Sequence, residues 1–337
     1  MINSTSSSEL PHFPVMLDEV TRICSPNKGG VYIDCTFGGG GYSKKLLKFS
    51  KTKVIALDRD EFIIKIGQEL KKKYPKRFFF HQKKFSEVNT VVENQSVDAV
   101  VFDLGLSSIQ LNNLERGFSF NSREKLDMSM GLSTISAEEV VNNFSEQKLK
   151  SIIKILGEEK DASRIARNII KTRLVKKITK VDQLVGIIKR SKKKNYVNKI
   201  NPSTKTFQAL RIFVNKEITE LIEGAINATK ILKPGGKILI VSFHSIEDKI
   251  VKYFLNLFTN SSGYINLFSL LIAYLSLAER DGGFLIISKL EGLNILFLYL
   301  SNKEILTSLF SGRYLEGLDR LKEKLLKKYF TILSSME

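Results

Sequence analysis

The sequence has little cysteine, no tryptophan and only 3 histidines among its 337 residues. Its two cysteines, Cys24 and Cys35, are too few for a disulfide-stabilised fold and fit a reducing compartment. They stand far apart in the sequence without companion ligands, so the pattern predicts no metal site.

Long hydrophobic runs and a recognisable leader are also missing. The first residues, MINSTSSSEL, contain neither a basic segment nor an apolar one, so they predict no signal peptide. The most apolar late stretch, residues 264–278, carries Asn and Ser and is shorter than the ~20 apolar residues that span a bilayer. The sequence therefore predicts a cytoplasmic protein that makes no membrane contact.

Negative charge is scarce, because 35 Asp and Glu face 53 Lys and Arg, for a net charge of +18. Such an excess attracts anions and suits a polyanionic partner, either nucleic acid or an anionic membrane surface. The clearest basic stretch is KTRLVKKITKVDQLVGIIKRSKKKNYVNK, residues 171–199. We interpret it as a nucleic-acid footprint, with a solvated helix face as the alternative.

A run of four glycines, residues 38–41, stands between a short apolar strand pattern and a helical pattern. A strand, a glycine turn and a helix form the first unit of a nucleotide-type α/β fold, in which the helix N–H groups point at a ligand. A glycine turn without any ligand is the alternative reading.

Further strand patterns follow at KVIALDRD, RFFFHQ, VDAVVFDLG and, far downstream, KILIVSFHS, where a Pro-Gly-Gly turn precedes the strand. Strands that alternate with helices predict a parallel, doubly wound α/β sheet with ligands at the carboxyl ends of its strands. Residues 108–204 have helical spacing instead, with Ser136 or Thr179 as possible caps. We therefore predict one discontinuous domain, residues 1–107 and 205–337, and a mostly helical insert, residues 108–204.

Acidic residues close three predicted strands, at Asp34, Asp58 and Asp103. A dinucleotide fingerprint, G-x-G-x-x-G, would need glycine where Ser43 stands. An acid-rich pocket also repels phosphate, whereas S-adenosylmethionine (SAM) has no phosphate and carries a cationic sulfonium. These residues therefore favour SAM over a nicotinamide dinucleotide.

Several motifs together resemble the bacterial 16S ribosomal RNA cytosine-N4-methyltransferase family (RsmH, or MraW). Between about residues 11 and 255 they read HFPVMLDEV, DCTFGGGGYS, ALDRD, FDLGLSSIQLNNLERGFSFNSREKLDMSM, NPSTKTFQALRIFVNKEI and KPGGKILIVSFHSIEDKIVK. The resemblance implies a class I SAM-dependent methyltransferase, Rossmann-like, with a helical insert. It also implies a partner, 16S ribosomal RNA within the small ribosomal subunit, and an acceptor, the N4 amine of a decoding-region cytidine.

By matched motif, the resemblance assigns the cofactor contacts to Gly40, Gly41, Tyr42, Asp58, Phe85, Asp103 and Gln110. The chain departs from the family pattern at Gly39 and Tyr42, where arginine and histidine are usual, and at Asn201 and Lys205 in the H-P-A-T-R motif. After about Leu255 it has no counterpart of the closing R-S-A-K-L-R stretch. We expect the apolar residues 264–277 and 293–300 to pack on the sheet and RLKEKLLKKYF to form a surface helix.

Methyl transfer from a sulfonium is an in-line displacement that depends on alignment. The cytosine amine is a poor nucleophile, so a hydrogen-bond acceptor and a proton-collecting base would assist it. The usual D/N/S-P-P-Y/F tetrapeptide is absent, and Asp103 stands in its position. We take Asp103 and His244 as catalytic candidates, although His244 can also be an ordinary pocket residue. Two other functions remain open at this point: an RNA-binding protein without activity, and a nucleotide-linked oxidoreductase.

Overall fold

The computed structural model describes residues 14–192 and 201–261, together with six two-residue strands between Phe268 and Leu300. Five longer strands form the central sheet: β1 (Gly30–Asp34), β2 (Thr52–Asp58), β3 (Phe78–Gln82), β4 (Val97–Asp103) and β5 (Leu232–Val241). They lie in the order β3-β2-β1-β4-β5 and all pair in parallel. The predicted parallel α/β sheet is confirmed, and its order reverses between β1 and β4, where such folds bind ligands.

Helices connect the strands on both sides of the sheet. In chain order they are α1 (Leu17–Cys24), α2 (Gly41–Leu47), α3 (Ile64–Lys73), α4 (Ser108–Asn112), α5 (Ala137–Asn143), α6 (Glu146–Leu156), α7 (Ala162–Val175), α8 (Val181–Ser191), α9 (Thr204–Val214), α10 (Glu217–Ile231) and α11 (Ser245–Ser261). In the part of the chain that the structure describes, no helix is long and apolar enough to cross a membrane.

The sheet separates two apolar cores because successive strand residues point to opposite faces. On one side lie Ile33, Leu57, Val100 and Phe102, and on the other Tyr32, Val54, Ala56 and Val101. Strands buried on both faces need nearly continuous apolar sequences, which explains the apolar runs at residues 54–57 in β2 and 99–102 in β4. Asp58 and Asp103 follow these runs directly, at the carboxyl ends of the strands.

Between β4 and β5 the described residues form helices and turns, with one isolated antiparallel bridge, between Lys125 and Lys180. Ser136 caps α5 in a capping box with Glu139, as its position in the sequence predicts. The possible cap at Thr179 is one residue early, because α8 begins after Lys180. The bridge to Lys125 holds Lys180 in the extended conformation that a residue before a helix adopts.

The Pro-Gly-Gly segment that the sequence analysis treats as a turn lies inside β5. The helix α10 ends at Ile231, and β5 starts at once with Leu232 opposite Val97. The register then jumps, so that Ala99 pairs with Lys237. The intervening residues bulge out of the ladder, and Gly235 adopts a positive φ of 80° there.

Two of the two-residue strands extend the sheet beyond β5. Tyr299–Leu300 pairs antiparallel with β5, and Phe268–Ser269 pairs with Tyr299–Leu300. The others pair in twos, Ile272–Ala273 with Ile295–Leu296 and Ser288–Lys289 with Gly292–Leu293. The remaining residues of 264–277 and 293–300, and the segment RLKEKLLKKYF, lie outside the described residues, so their packing stays a prediction.

Candidate active site

A cavity of about 860 Å³ opens at the carboxyl ends of the strands, at the point where the strand order reverses. Its lining contains six of the predicted site residues: Gly41, Tyr42, Asp58, Phe85, Asp103 and Gln110. Gly40 is the cap of α2 immediately beside it. His244 does not line the cavity, although its neighbours Phe243 and Glu247 do. The structure thus brings the predicted cofactor residues together around one cavity. The catalytic candidate His244 lies outside the cavity lining.

The glycine run forms a tight loop that leads into the N-terminus of α2. Gly38 and Gly40 have φ values of 48° and 76°, and a Cβ atom on Gly40 would lie 2.8 Å from the Phe37 ring. A Cβ on Gly41 would collide with Pro14. Gly39 is different, because its nearest side-chain neighbour would be 4.0 Å away. The position where the family pattern has arginine therefore has room for a side chain.

Asp34 anchors this loop from below. It is fully buried, and its Oδ2 accepts hydrogen bonds from the Ser43 hydroxyl at 2.7 Å and from the Ser43 N–H at 3.2 Å. Its Oδ1 has no partner. Burial, only partly offset by these hydrogen bonds, raises the pKa of Asp34 to about 6. Ser43, which stands in place of the third dinucleotide glycine, thus ties the helix to a carboxylate.

Tyr42 closes one side of the cavity under the N-terminal segment. Its ring is buried, and its hydroxyl donates a hydrogen bond to the Val15 carbonyl. Burial and the neighbouring Asp103 and Asp34 carboxylates raise the pKa of this phenol. The side chain therefore stays neutral, and what Tyr42 offers a ligand is its place in the first turn of α2.

Asp58 holds the loop in place and still faces the cavity. Its Oδ2 accepts from the Gly38 N–H at 2.8 Å and its Oδ1 from the Asp60 N–H at 2.9 Å. Burial raises its pKa to about 6, despite these hydrogen bonds. Each carboxylate oxygen has a second lone pair, so Asp58 can accept hydrogen bonds from the hydroxyls of a ligand.

Asp103 lies in the cavity wall with one carboxylate oxygen that has no hydrogen-bond partner. Its backbone N–H donates to the Thr36 hydroxyl at 2.7 Å, but its buried Oδ1 has no hydrogen-bond partner. Burial, followed by the charges of Asp34 and Glu247, raises its pKa to about 8. A strongly perturbed acid with an unused acceptor atom in a cleft is a candidate for function.

An apolar wall and a further acid lie at the α10 side. The Phe85 ring contacts Phe102 edge to face at 5.5 Å, and a Cβ on Gly224 would lie 2.6 Å from Phe85 Cδ2. One turn earlier on α10, Glu220 is buried, lines the cavity and has an unpartnered Oε2. Lys84 Nζ lies 3.5 Å from its other oxygen. Glu220 was not predicted from the sequence, because no strand end or motif spacing marks it.

Gln110 joins the end of β2 to the segment after β4. Its Oε1 accepts from the Ser107 N–H at 3.0 Å, and its Nε2 donates to Asp60 Oδ2 at 2.7 Å. Arg116 pairs with the same buried Asp60 at 3.0 Å. The amide of Gln110 is thus engaged within the protein, and its predicted contact with the cofactor stays a prediction.

His244 is part of an ion-pair network at the start of α11. Its Nδ1 accepts from the Glu247 N–H at 3.3 Å, and its Nε2, which lacks a hydrogen-bond partner, lies 3.1 Å from Glu247 Oε1. Burial opposes ionisation of Glu247, but His244 and Arg211 outweigh it and hold the pKa of Glu247 below its ordinary value. The geometry makes His244 a helix cap and a partner of Glu247, and a direct catalytic role for it stays a prediction.

Glu217, His244 and Glu247 each place one ligand atom within 4.8 Å of the others, as a metal site would require. However, Arg211 binds both oxygens of Glu217, at 2.8 and 2.9 Å. The guanidinium already supplies positive charge at this point, so we assign no metal to the cluster.

The LDMSM part of the long motif covers the cavity from the side of the insert. Arg59 donates to the Met130 carbonyl at 2.8 Å, to the Asn215 carbonyl at 2.8 Å and to the Ser133 hydroxyl at 3.0 Å. Asn215 accepts from the Met130 N–H at 2.7 Å and donates to the Met128 carbonyl at 2.8 Å. These contacts clamp the segment between the end of β2 and α9.

The structure divides the basic stretch of residues 171–199. The side chain of Lys192 is only 4% exposed, and its Nζ lies 2.5 Å from a Glu159 oxygen and 3.7 Å from an Asp161 oxygen. It therefore cannot belong to a nucleic-acid surface, which corrects the prediction at this residue. Residues 193–200 lie outside the described residues, while Lys171, Lys176, Lys177 and Lys180 are exposed.

Comparison with known proteins agrees with the motifs. The sequence profile of the MraW methylase family matches residues 9–264. A ribosomal RNA small subunit methyltransferase H from Neorickettsia sennetsu is 42% identical over 281 residues, which cover 83% of this chain and 93% of that protein. The protein of the same name from Ehrlichia canis is 44% identical over 245 residues, 72% of this chain and 82% of that protein. Its namesake from Rickettsia bellii is 44% identical over 244 residues, 72% and 80% of the two chains.

Proposed function

The chain belongs to the MraW methylase family, and from this premise we propose that it methylates the exocyclic N4 amine of a cytidine in the decoding region of small-subunit ribosomal RNA. It is a SAM-dependent methyltransferase with a class I fold, and its relatives are named for small-subunit ribosomal RNA. The finer assignment to the cytidine amine comes from the motif resemblance. The observation that supports it best is the buried Oδ1 of Asp103, which has no hydrogen-bond partner and lies at the strand-order reversal.

The residues of the cavity fit SAM. Two acids of the lining, Asp103 and Glu220, each have a buried carboxylate oxygen without a hydrogen-bond partner, as does Asp34 beneath the glycine loop. Negative charge in a low-dielectric cavity favours a cationic ligand over a phosphate. In our proposal the N-terminus of α2 receives the methionine part of the cofactor and Asp58 accepts its ribose hydroxyls. Phe85 supplies the apolar wall for adenine.

When bound, SAM supplies an electrophilic methyl group on a sulfonium. Asp103 accepts a hydrogen bond from the cytidine amine and so directs the nitrogen lone pair toward the methyl group. In our proposal Asp103 would take the proton that the amine loses as its nitrogen bonds to the methyl group, and the electron pair of the broken C–S bond would stay on sulfur. A pKa of about 8 leaves Asp103 mostly protonated at neutral pH in the protein without cofactor, so in our proposal the positive charge of bound SAM ionises Asp103 for this role.

In this scheme His244 acts indirectly, through Glu247. It lies against Glu247, and the charge of Glu247 is one of the causes of the raised pKa of Asp103. The network of His244, Glu247 and Arg211 therefore sets the electrostatic environment of the proton acceptor. A cytidine can reach Asp103 only after it leaves its base stack, as in other base-modifying enzymes.

A methylation assay tests the proposal. Purified protein is incubated with methyl-labelled SAM and with small ribosomal subunits that lack the modification, and the RNA is digested to nucleosides. We expect label in N4-methylcytidine, at stoichiometry approaching one per subunit. Label in another nucleoside would contradict the N4 assignment. Tight SAM binding without transfer would instead favour the inactive RNA-binding protein.

The oxidoreductase alternative is weaker, because Ser43 replaces the third glycine and binds the buried Asp34. Calorimetry with SAM and with NAD separates the two enzyme classes. We expect binding of SAM alone, and binding of NAD in the same cavity would revive the alternative.

A further inference from the structure

Two adjacent aliphatic side chains protrude from the end of α7. Leu174 is 80% exposed and Val175 is 90% exposed, and they are the most exposed large hydrophobic residues in the described part of the chain. Water contact over so much apolar surface is unfavourable. Their position therefore requires an explanation beyond the packing of the insert.

The core does not require these two residues. The buried face of α7 consists of Ala162, Ile165, Ala166 and Ile169, which follow the spacing of one helix face. At roughly 100° per residue, Leu174 and Val175 point away from that face, to either side of it. Replacing them with polar residues would leave the interior of the insert unchanged.

The turn that follows is firmly held. Arg173 donates to the Val141 carbonyl at 2.8 Å, and the Asn142 side chain donates to the Ile178 carbonyl at 2.7 Å and accepts from its N–H at 3.0 Å. The bridge between Lys180 and Lys125 fixes the other end. The backbone on which Leu174 and Val175 lie is therefore held by hydrogen bonds to the rest of the insert.

Exposed lysines lie next to the pair along the chain. Lys171 lies one turn earlier on the same helix, and Lys176 follows directly, both exposed. Lys177 is also exposed, although Glu138 lies 3.0 Å from it, and Lys180 pairs with Lys125 in the backbone bridge. An exposed apolar pair with neighbouring cations is complementary to a ligand that has both phosphates and apolar faces, which is the chemistry of RNA.

We propose that residues 171–180 form a basic wedge that enters the ribosomal RNA substrate. The lysines bind phosphates on either side, while Leu174 and Val175 pack against a base or base step that has lost its stacking partner. Apolar side chains inserted between bases are an established way to open nucleic acid, and the proposed reaction needs its cytidine unstacked. The inference rests on the proposed function for its choice of RNA.

A protein partner is the main alternative occupant. Two side chains supply far less apolar area than the roughly 800 Å² per partner of a stable protein interface. One or two apolar residues suffice for a wedge in nucleic acid. The small apolar area and the neighbouring exposed lysines therefore favour RNA.

Two double variants with matched controls test the wedge. Leu174→Ser with Val175→Ser removes the apolar pair, and Leu174→Met with Val175→Ile retains it. Lys171→Gln with Lys176→Gln removes two cations, and Lys72→Gln with Lys76→Gln removes two exposed cations near the end of α3. Unfolding and SAM affinity are measured first, and we expect both to match the unmodified protein because the changed side chains are exposed.

Affinity for protein-free small-subunit RNA is then measured against salt, and methyl transfer is measured on the same RNA and on small subunits. The lysine variant should lower the log–log salt slope by roughly 0.7–0.9 for each lost phosphate contact, while its control does not. The serine variant should keep the slope but lower kcat/KM about tenfold, the size of a lost apolar contact, with the Met/Ile control near the unmodified value.

Unchanged slopes and rates in both variants would overturn the wedge. So would variants that act normally on protein-free RNA but lose affinity for intact subunits, because the turn would then contact a ribosomal protein. The binding measurement does not depend on catalysis. A protein that binds RNA but transfers no methyl group would contradict the proposed function, while the salt slope would still decide on the wedge.

Discussion

The cavity and the outer surface of the insert differ in both charge and exposure. Asp58 and Asp103 line the cavity, and Asp34 is buried beneath its glycine loop. Burial raises the pKa values of Asp34, Asp58 and Asp103 to about 6, 6 and 8. The insert surface exposes lysines such as Lys171 and Lys176. The net charge of +18 therefore conceals an acidic interior site inside a basic exterior. The net charge of the chain predicts a polyanionic partner but gives no indication of the cationic cofactor.

The two regions also meet different energetic requirements. Surface lysines remain hydrated and act on a polyanion over about a Debye length, roughly 8–10 Å in physiological salt. Buried carboxylates lose hydration, and the raised pKa values measure that loss in the protein without ligand. A sulfonium in the cavity would offset it. The buried acids of the site therefore favour a cationic ligand.

The largest effect should come from removing the free acceptor of the cavity. Asp103→Asn keeps the shape of the side chain but cannot take a proton, so we expect kcat to fall by about 10²–10⁴. Single-turnover methylation of small-subunit RNA measures it. The matched control is Asp182→Asn, an exposed acid on α8, which should retain its rate. A loss below about threefold would remove Asp103 from the proton transfer.

The second test concerns Lys192, which belongs to the basic stretch in the sequence but to the interior in the structure. Lys192→Ala leaves Glu159 buried without its cation, and breaking such a pair costs about 3–5 kcal/mol of unfolding free energy. Urea unfolding measures it, with the exposed Lys189→Ala expected within about 0.5 kcal/mol of the unmodified protein. Normal stability with weakened RNA binding would return Lys192 to the surface.

The difference between the regions also shows what could be predicted from the sequence. The sheet was predictable because β2 and β4 are continuous apolar runs that end in acids, a pattern that chain-local spacing reveals. The cavity residues followed from motif and strand order. Glu220 and Arg211 were missed because helix packing, rather than spacing, brings α9 and α10 to the site. Asp60 was missed although it lies two residues after Asp58, because its partners Gln110 and Arg116 are 50 and 56 positions away in the sequence. Lys192 was misassigned because its ion-pair partners lie more than 30 positions away in the sequence.

A third effect concerns the cofactor alone. Asp58→Ala removes an acceptor that the ribose hydroxyls would use, worth ~1.5–3 kcal/mol, and we expect the SAM dissociation constant to rise about 10- to 150-fold. Calorimetry measures it, with the exposed Asp18→Ala as a control. The Gly38 N–H also loses its partner, so Asp58→Asn is compared as a variant that keeps an acceptor oxygen. Unchanged affinity in a folded Asp58→Ala protein would exclude Asp58 from the site.

Proton binding by these acids should depend on whether the cationic cofactor SAM is bound. The folded pKa values of Asp34, Asp58 and Asp103 lie above the ordinary 3.8. The folded protein without cofactor therefore binds more protons than the unfolded chain, and its stability falls as pH rises from about 4 to 8. Because a cation favours the ionised acids, SAM affinity should strengthen over pH 6–8, by at most ~1.4 kcal/mol per pH unit for each proton released.

Calorimetry in buffers of different ionisation enthalpy measures these protons directly. Asp103→Asn should remove the upper part of the dependence, between about pH 7 and 8. A SAM affinity that is independent of pH, with no proton release, would mean that the acids of the cavity are already ionised without the cofactor.

The smallest effect should follow removal of everything beyond α11. Among the residues that the structure describes, those that line the cavity all precede residue 248, and the family match ends at residue 264. The cut belongs after Ser261 rather than inside α11, whose Ile250, Val251 and Phe254 are buried against the sheet domain. The shortened protein should keep its SAM affinity within about twofold, since sites without shared contacts act nearly independently.

Its colloidal behaviour should change more than its binding. Tyr299–Leu300 pairs with β5, so the cut exposes an edge of the sheet that can associate with other copies. Light scattering at rising concentration measures this, and calorimetry at low concentration measures SAM. A truncation after Lys252 serves as the comparison, because it removes Phe254 and should cost about 3–5 kcal/mol of stability. If the longer fragment stays folded and monomeric yet loses SAM binding more than tenfold, the tail completes the cavity, and the acidic site does not end with the strands that carry its acids.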